Sequence, residues 1–246
     1  MIKTVKSDNS RSTRLTIISK VYQAYGMLVN GAIPFMPSDR RYNISICHER
    51  RFLWYRVAKV GTRTIFGEFD KYDIRLDADH PFRCHYPVHQ FEDYFKFAFV
   101  RNPWDRLAST WRNKVRDSNH FRLSQDRLEA LQDFGEFIEF VSSLDLENCD
   151  PHIRLQCRLI DLNHVDFIGR FETFEEDFRE VMRRIGIELD SVERRNATVS
   201  TGSYHRYFDD STRAKVAQLY ARDIAIFGYS LQPMTFGFNW EHRQSV

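Results

Sequence analysis

The chain has 246 residues, 42% of them hydrophobic, 28% charged and 21 of them phenylalanine; that length and composition suit one packed α/β core and exclude a disordered chain. Lys and Arg number 36 against 34 Asp and Glu, a net charge of only +2, so neither a nucleic-acid partner nor an anionic membrane is indicated and any anion site must be local. The longest weakly apolar stretch, Leu15 to Met36, is interrupted by Lys20, Gln23 and Asn30, so no membrane span is expected. The N-terminus lacks the compact apolar run and cleavage site of a signal peptide, which leads to the expectation of a cytoplasmic protein. Cys47, Cys84, Cys149 and Cys157 have neither CxxC spacing nor a repeated pattern and are expected as free, buried thiols.

One domain over residues 1–246 is expected, with 1–45 as an irregular, partly helical lead-in that ends at Pro34, Pro37 and the charged turn Ser38–Arg41. Phe52–Val57 is an aromatic and β-branched run that predicts a strand. It breaks at the glycine-containing turn Lys59–Thr64, and a helix is expected from Ile65. Phe95–Val100 is almost continuously apolar, as a buried parallel strand would be. Pro103 then suits a first helical turn, and Trp104, Leu107, Ala108, Trp111 and Val115 recur at helical spacing. Phe134, Phe137, Ile138 and Val141 mark another helix, and Val165–Ile168 another strand. A helix follows from Thr173, with Glu176 as its expected capping-box partner. A last helix is expected from about Ser211 to Gly228. Alternating strands and helices predict a mainly parallel sheet covered by helices on both faces.

Two of the strand–loop–helix junctions carry chemistry. A glycine turn that opens a helix aims backbone N–H groups and the positive end of the helix dipole at one point, which suits a phosphate. The Lys59–Thr64 turn has this form, yet it is not a Walker A sequence, because its lysine precedes the glycine. At the second junction Arg101 stands at the C-terminal end of a strand, where open α/β sheets bind ligands, and Ser109 lies eight residues on. A bland arrangement competes there, with Arg101 paired to Asp105 and Ser109 a mere small helix residue.

Together the segments Ala58–Thr64 (AKVGTRT) and Phe99–Arg112 (FVRNPWDRLASTWR) resemble the carbohydrate sulfotransferases of sulfotransferase family 2. Those enzymes use 3′-phosphoadenosine 5′-phosphosulfate (PAPS); their 5′-phosphosulfate loop reads like PKVGTT or PKVAST and their 3′-phosphate segment like FVRNPWDRLVSAYR. Asp150–Gln156, Val165–Glu172 and Leu219–Tyr229 also look like family segments in the family's order, so the resemblance covers about residues 50–230. It implies a P-loop-like sulfotransferase fold and transfer of a sulfuryl group from PAPS to a hydroxyl, that of a sugar in the family's usual manner, with no metal. Lys59 is then the cation at the leaving group. Val60, Gly61, Thr62, Arg63 and Thr64 form the 5′-phosphosulfate loop, and Arg101 and Ser109 hold the 3′-phosphate. Tyr204 lies in Tyr204–Asp210 (YHRYFDD), similar to the family's YREYYDD, with His205 where an arginine often stands. Ala58 and Arg63 depart from the usual proline and small residue.

The acceptor hydroxyl needs a base, and histidine is the side chain whose pKa suits that work near neutrality. Among nine histidines, His85 in Phe82–His89 resembles the base of related glycan sulfotransferases, and His152 is the second candidate. Trp54, Tyr86, Trp104 and Trp111 are candidates for stacking on sugar rings, though core packing is the expected role of each. Two other classes compete: a P-loop-like nucleotide-dependent kinase using ATP and Mg²⁺, and a non-catalytic module that binds nucleotide or sulfated glycan. Oligomeric state leaves no sign in the sequence.

Overall fold

The computed structural model describes residues 38–79, 82–189 and 203–230; most of the expected lead-in, including Leu15 to Met36, lies outside the described residues. Five strands form one sheet in the order β3-β1-β2-β4-β5: β1 (Ile44–Cys47), β2 (Phe52–Tyr55), β3 (Ala78–Asp79), β4 (Phe95–Val100) and β5 (Phe167–Arg170). β2, β4 and β5 run parallel, whereas β1 is antiparallel to both β2 and β3. The sheet is therefore mixed, which corrects the expectation of a mainly parallel one. The cause is local. Residues 48–51, with Arg51 at φ 51°, join β1 to β2, and so short a connection closes only an antiparallel pair, since a parallel pair needs a crossover of a dozen residues or more.

Every residue of β1 and β2 is buried, as continuous apolar runs require. Phe52 and Trp54 share a face with Phe97 and Phe99, and there the rings of Phe69 from α1 (Thr62–Lys71) and Phe178 from α5 (Phe174–Arg184) meet them at centroid distances of 5.4–6.3 Å. Each such buried ring contributes about 1.5–3 kcal/mol of transfer free energy. Gly169 of β5 is required by this packing, because a Cβ there would lie 2.5 Å from the Phe99 ring. On the opposite face the Tyr55 hydroxyl meets that of Tyr86 at 2.6 Å, and Tyr86 donates to Asp161 at 2.7 Å.

After β4 the chain enters α2 (Pro103–Trp111), which a π turn over Arg112–Arg116 extends. Asn102 caps α2 by accepting from the N–H of Trp104 (3.1 Å) and Asp105 (3.4 Å), with Pro103 in the first turn as expected. Next come α3 (Gln125–Ala130), α4 (Phe134–Ser142), α5, α6 (Asp210–Leu219) and α7 (Ala221–Phe227). Two local expectations fail. Thr173 makes no cap and no capping box with Glu176; its hydroxyl donates to Asp177 at 2.6 Å, and the same carboxylate accepts the Arg170 N–H. The expected last helix is two helices, broken at Tyr220, whose buried hydroxyl donates to the Ile153 carbonyl at 2.6 Å.

Trp54, Tyr86, Trp104 and Trp111 are all buried, so they pack the core and do not form a sugar platform. All four cysteines are free; Cys47 and Cys157 are buried, while Cys84 and Cys149 are half-buried. Among the described residues no helix is long and apolar enough to cross a membrane.

Candidate active site

β2 and β4 are adjacent and parallel, so the loops leaving their C-terminal ends lie side by side. In the first loop Lys59 has φ 74° and Gly61 φ 89°, two left-handed residues in three. Only glycine takes that conformation without strain. A Cβ on Gly61 would also come within 2.9 Å of the Phe174 ring. This backbone opens α1 beyond the C-terminal end of β2, where the first-turn N–H groups have no partner inside the helix. Thr64 differs, since its N–H donates to Gly61 O at 2.8 Å and its side chain is buried. Val60 is fully buried and offers only its backbone. Thr62 keeps a long 3.4 Å bond to Val57 O, and Arg63 is exposed.

The Lys59 ammonium is strongly perturbed. Burial, followed by the charges of Arg101, Lys114 and Arg63, lowers its pKa to about 8. A desolvated cation of this kind gains most when an anion arrives.

In the second loop Arg101 is held on every side. Its guanidinium pairs bidentately with Asp105 at 2.9 Å, donates to Lys59 O at 3.0 Å and lies 4.0 Å over the Phe171 ring. The Gln156 amide clamps its backbone, accepting from Arg101 N at 2.9 Å and donating to Arg101 O at 2.8 Å. The bland pairing with Asp105 is therefore present, but it does not remove Arg101 from the site, because the same guanidinium bridges the two loops. Ser109 is half-buried on α2. Tyr204 lies in a 3₁₀ turn (Ser203–Tyr207), its pKa raised to about 12 by burial and then by Asp105 and Glu172, with Arg101 acting in the opposite direction. With Trp104, His205, Phe208 and Arg213 it lines a shallow pocket.

The candidate bases stand in different settings. His85 Nδ1 meets the Ser38 carbonyl at 2.8 Å. His152 Nδ1 meets Asp150 Oδ1 at 2.7 Å, and Asp150 Oδ2 meets His120 Nε2 at 3.2 Å. A fully buried guanidinium, that of Arg106, ties this segment to the first loop by donating to Ala58 O (3.2 Å), Pro151 O (2.7 Å) and Arg154 O (2.9 Å). Lys114 lies near enough to Lys59 and His152 to lower both pKa values.

Asp150, His120, Lys114 and Arg106 were not foreseen as site residues. Asp150 had a signal in the Asp-Pro-His triplet. His120 had none, because 30 residues of chain separate it from Asp150.

The described site is thus two cationic loops, joined by Arg101, beside a histidine–carboxylate pair. Residues 42–230 match the model described as the sulfotransferase family. Relatives include human carbohydrate sulfotransferase 14, 26% identical over 79% of this chain and 60% of that protein. Rat carbohydrate sulfotransferase 11 is 27% identical over 58% of this chain and 49% of its own length, and mouse carbohydrate sulfotransferase 8 is 28% identical over 58% and 42%. The chain thus spans about 40–60% of the length of these relatives. No solved structure matches significantly. With the match extending over most of its length and taking in both cationic loops, this chain belongs to the sulfotransferase family.

Proposed function

We propose that the chain transfers a sulfuryl group from PAPS to a hydroxyl of a carbohydrate, on a P-loop-like fold and without a metal. The observation that carries the proposal is Lys59: a desolvated cation on a left-handed turn at the start of α1, bridged through its carbonyl to Arg101 of the next loop. The residues fit a phosphosulfate at this place, because Gly61 leaves no Cβ on the turn and no carboxylate lies within the Lys59–Thr64 loop.

When bound, PAPS supplies the activated sulfuryl group. Lys59 then faces the charge that develops on the departing phosphate oxygen, with the first-turn amides and the Thr62 hydroxyl around the 5′ group. Arg101 and Ser109 take the 3′-phosphate, and Tyr204 borders the nucleotide. A histidine removes the acceptor proton. His152 is favoured over His85, because its ring is held by a carboxylate and its segment is fixed to the Lys59 loop.

The test is a thermal shift with adenosine 3′,5′-bisphosphate and, separately, ATP with Mg²⁺, followed by transfer of radiolabelled sulfuryl from PAPS to a panel of neutral and uronate-bearing oligosaccharides with and without EDTA. Stabilisation by the bisphosphate, weakened in Arg101→Ala, and EDTA-resistant transfer are expected. A shift with ATP and Mg²⁺ alone would replace this reading with a kinase, and bisphosphate binding without transfer to any acceptor would replace it with a binding module.

A further inference from the structure

Among the described residues, Asp150 is the one carboxylate at the site whose two oxygens face two histidines. Oδ1 accepts from the backbone N–H of His152 at 2.9 Å and meets that residue's Nδ1 at 2.7 Å, while Oδ2 meets His120 Nε2 at 3.2 Å. Protons can be assigned by elimination. Lys114 Nζ, a donor only, lies 3.4 Å from His120 Nδ1, so that nitrogen accepts and His120 carries its proton on Nε2, toward Asp150. Asp150, ionised, is an acceptor only, so His152 carries its own proton on Nδ1. Nε2 of His152 is left with a lone pair. The backbone on which this depends is fixed from two sides, by Thr110 donating to His152 O at 3.0 Å and by Arg106 on Pro151 O and Arg154 O.

We infer that Asp150 is a positioning residue of the transfer reaction, holding the His152 ring with Nδ1–H toward its carboxylate and Nε2 bare for the acceptor proton, while His120 occupies its second oxygen. The inference rests on the sulfuryl-transfer reading and on His152 as base. In the step, Nε2 of His152 takes the hydroxyl proton as the acceptor oxygen bonds to sulfur. The sulfur–oxygen bond to the phosphate breaks, its electron pair leaving with the nucleotide beside Lys59. His152 becomes an imidazolium against an anionic Asp150, an arrangement that in hydrolases is worth up to about 10⁴-fold in rate.

The charges agree with this role. Burial alone would raise the Asp150 pKa, but hydrogen bonds from His152 and then His120 hold it well below the usual carboxylate range. Burial lowers the His152 pKa; Asp150 opposes this, and Lys114 and His120 reinforce it. The three ligand-type atoms lie within 4.8 Å of one another, a spacing that would also admit a metal ion, but the Lys114 ammonium against His120 opposes a second cation there.

The experiment uses the full chain in wild type, Asp150→Ala and Asp150→Asn. Long-range ¹H–¹⁵N spectra of the histidine rings in ¹⁵N-labelled protein saturated with adenosine 3′,5′-bisphosphate read the tautomers, and transfer from PAPS to the oligosaccharide panel, with no bisphosphate added, reads kcat and KM. The wild type is expected to show His152 protonated on Nδ1. Asp150→Ala should release it to Nε2–H and lower kcat by about 10²-fold or more with little change in KM for PAPS. Asp150→Asn retains an acceptor oxygen but no charge, so it should keep the tautomer and fall between the two. Because Asp150 raises the His152 pKa, the acid limb of kcat should move to lower pH in both variants. An unchanged tautomer and kcat in Asp150→Ala, or stoichiometric Co²⁺ binding by the three residues, overturns the inference. Tautomer release in Asp150→Ala without transfer by the wild type to any acceptor overturns the sulfuryl-transfer reading and leaves the ring positioning standing.

Discussion

The two loops at the C-terminal ends of β2 and β4 are built alike, each a strand followed by a turn and a helix, yet they handle charge in opposite ways. The Lys59 loop bends its backbone into the left-handed region twice and leaves its cation desolvated among other positive charges. The Arg101 loop has Pro103 and Asn102 at its helix start and pairs its cation with Asp105 and an aromatic face. The first loop therefore carries the cost of a desolvated cation, and the second is neutralised by its own carboxylate. Arginine suits the second role, since its planar fork bonds several acceptors at once; lysine suits the first, since its pKa moves readily on burial.

The largest expected effect breaks the first loop. If Lys59 has the role proposed for it at the leaving group, Lys59→Met should lower kcat by about 10²–10³-fold, measured by sulfuryl transfer at saturating PAPS. The same variant should be more stable than wild type without nucleotide at pH 7. The sign follows from the folded-state pKa of about 8, below the ordinary 10.5: the charged form is disfavoured on folding, and that penalty is complete below pH 8 and gone above pH 10.5. Discounted for partial exposure, the gain is about 1–2 kcal/mol, a rise in Tm of a few degrees.

A smaller pair of effects tests the second loop. Arg101→Ala should weaken adenosine 3′,5′-bisphosphate binding by about 10–100-fold in calorimetry, the loss of one charge-assisted pair. Asp105→Asn should tighten it by about two- to fivefold, because the competing carboxylate of a mostly buried pair is gone. Equal weakening by both variants would mean that Asp105 only orients Arg101. The smallest effect is the pH dependence. Bisphosphate affinity should stay level from pH 7 to about 8 and then fall by up to about tenfold per unit as free Lys59 loses its proton. That limb should persist in Arg101→Ala and vanish in Lys59→Met.

Much of this architecture could be read from the chain. Phe95–Val100 is a strand with the expected bounds, Pro103 begins α2, and the Lys59 turn lies between a strand and a helix. Such features rest on local signals, apolar runs and turn residues, which sequence displays directly. What escaped notice depends on tertiary partners. β1 is four residues and β3 only two, too short for a period to show. α3 buries none of its residues, so it has no apolar stripe to betray it. The break at Tyr220 comes from a hydroxyl reaching Ile153, and the His120–Asp150 contact from a fold that joins distant segments. Neither has a local signature.

The buried Arg106 guanidinium bears on how this chain tolerates change. All three of its partners are carbonyl oxygens, a group that every residue presents whatever its side chain. Position 58 can thus drift from the proline common at this point in similar loops to the alanine found here, and the joint between the Lys59 loop and the histidine segment does not register it. The sequence freedom at one end of the joint is secured by rigidity at the other. Arg106 itself has no comparable latitude, because a lysine in its place would bring one ammonium to carbonyls that a five-donor fork now reaches together.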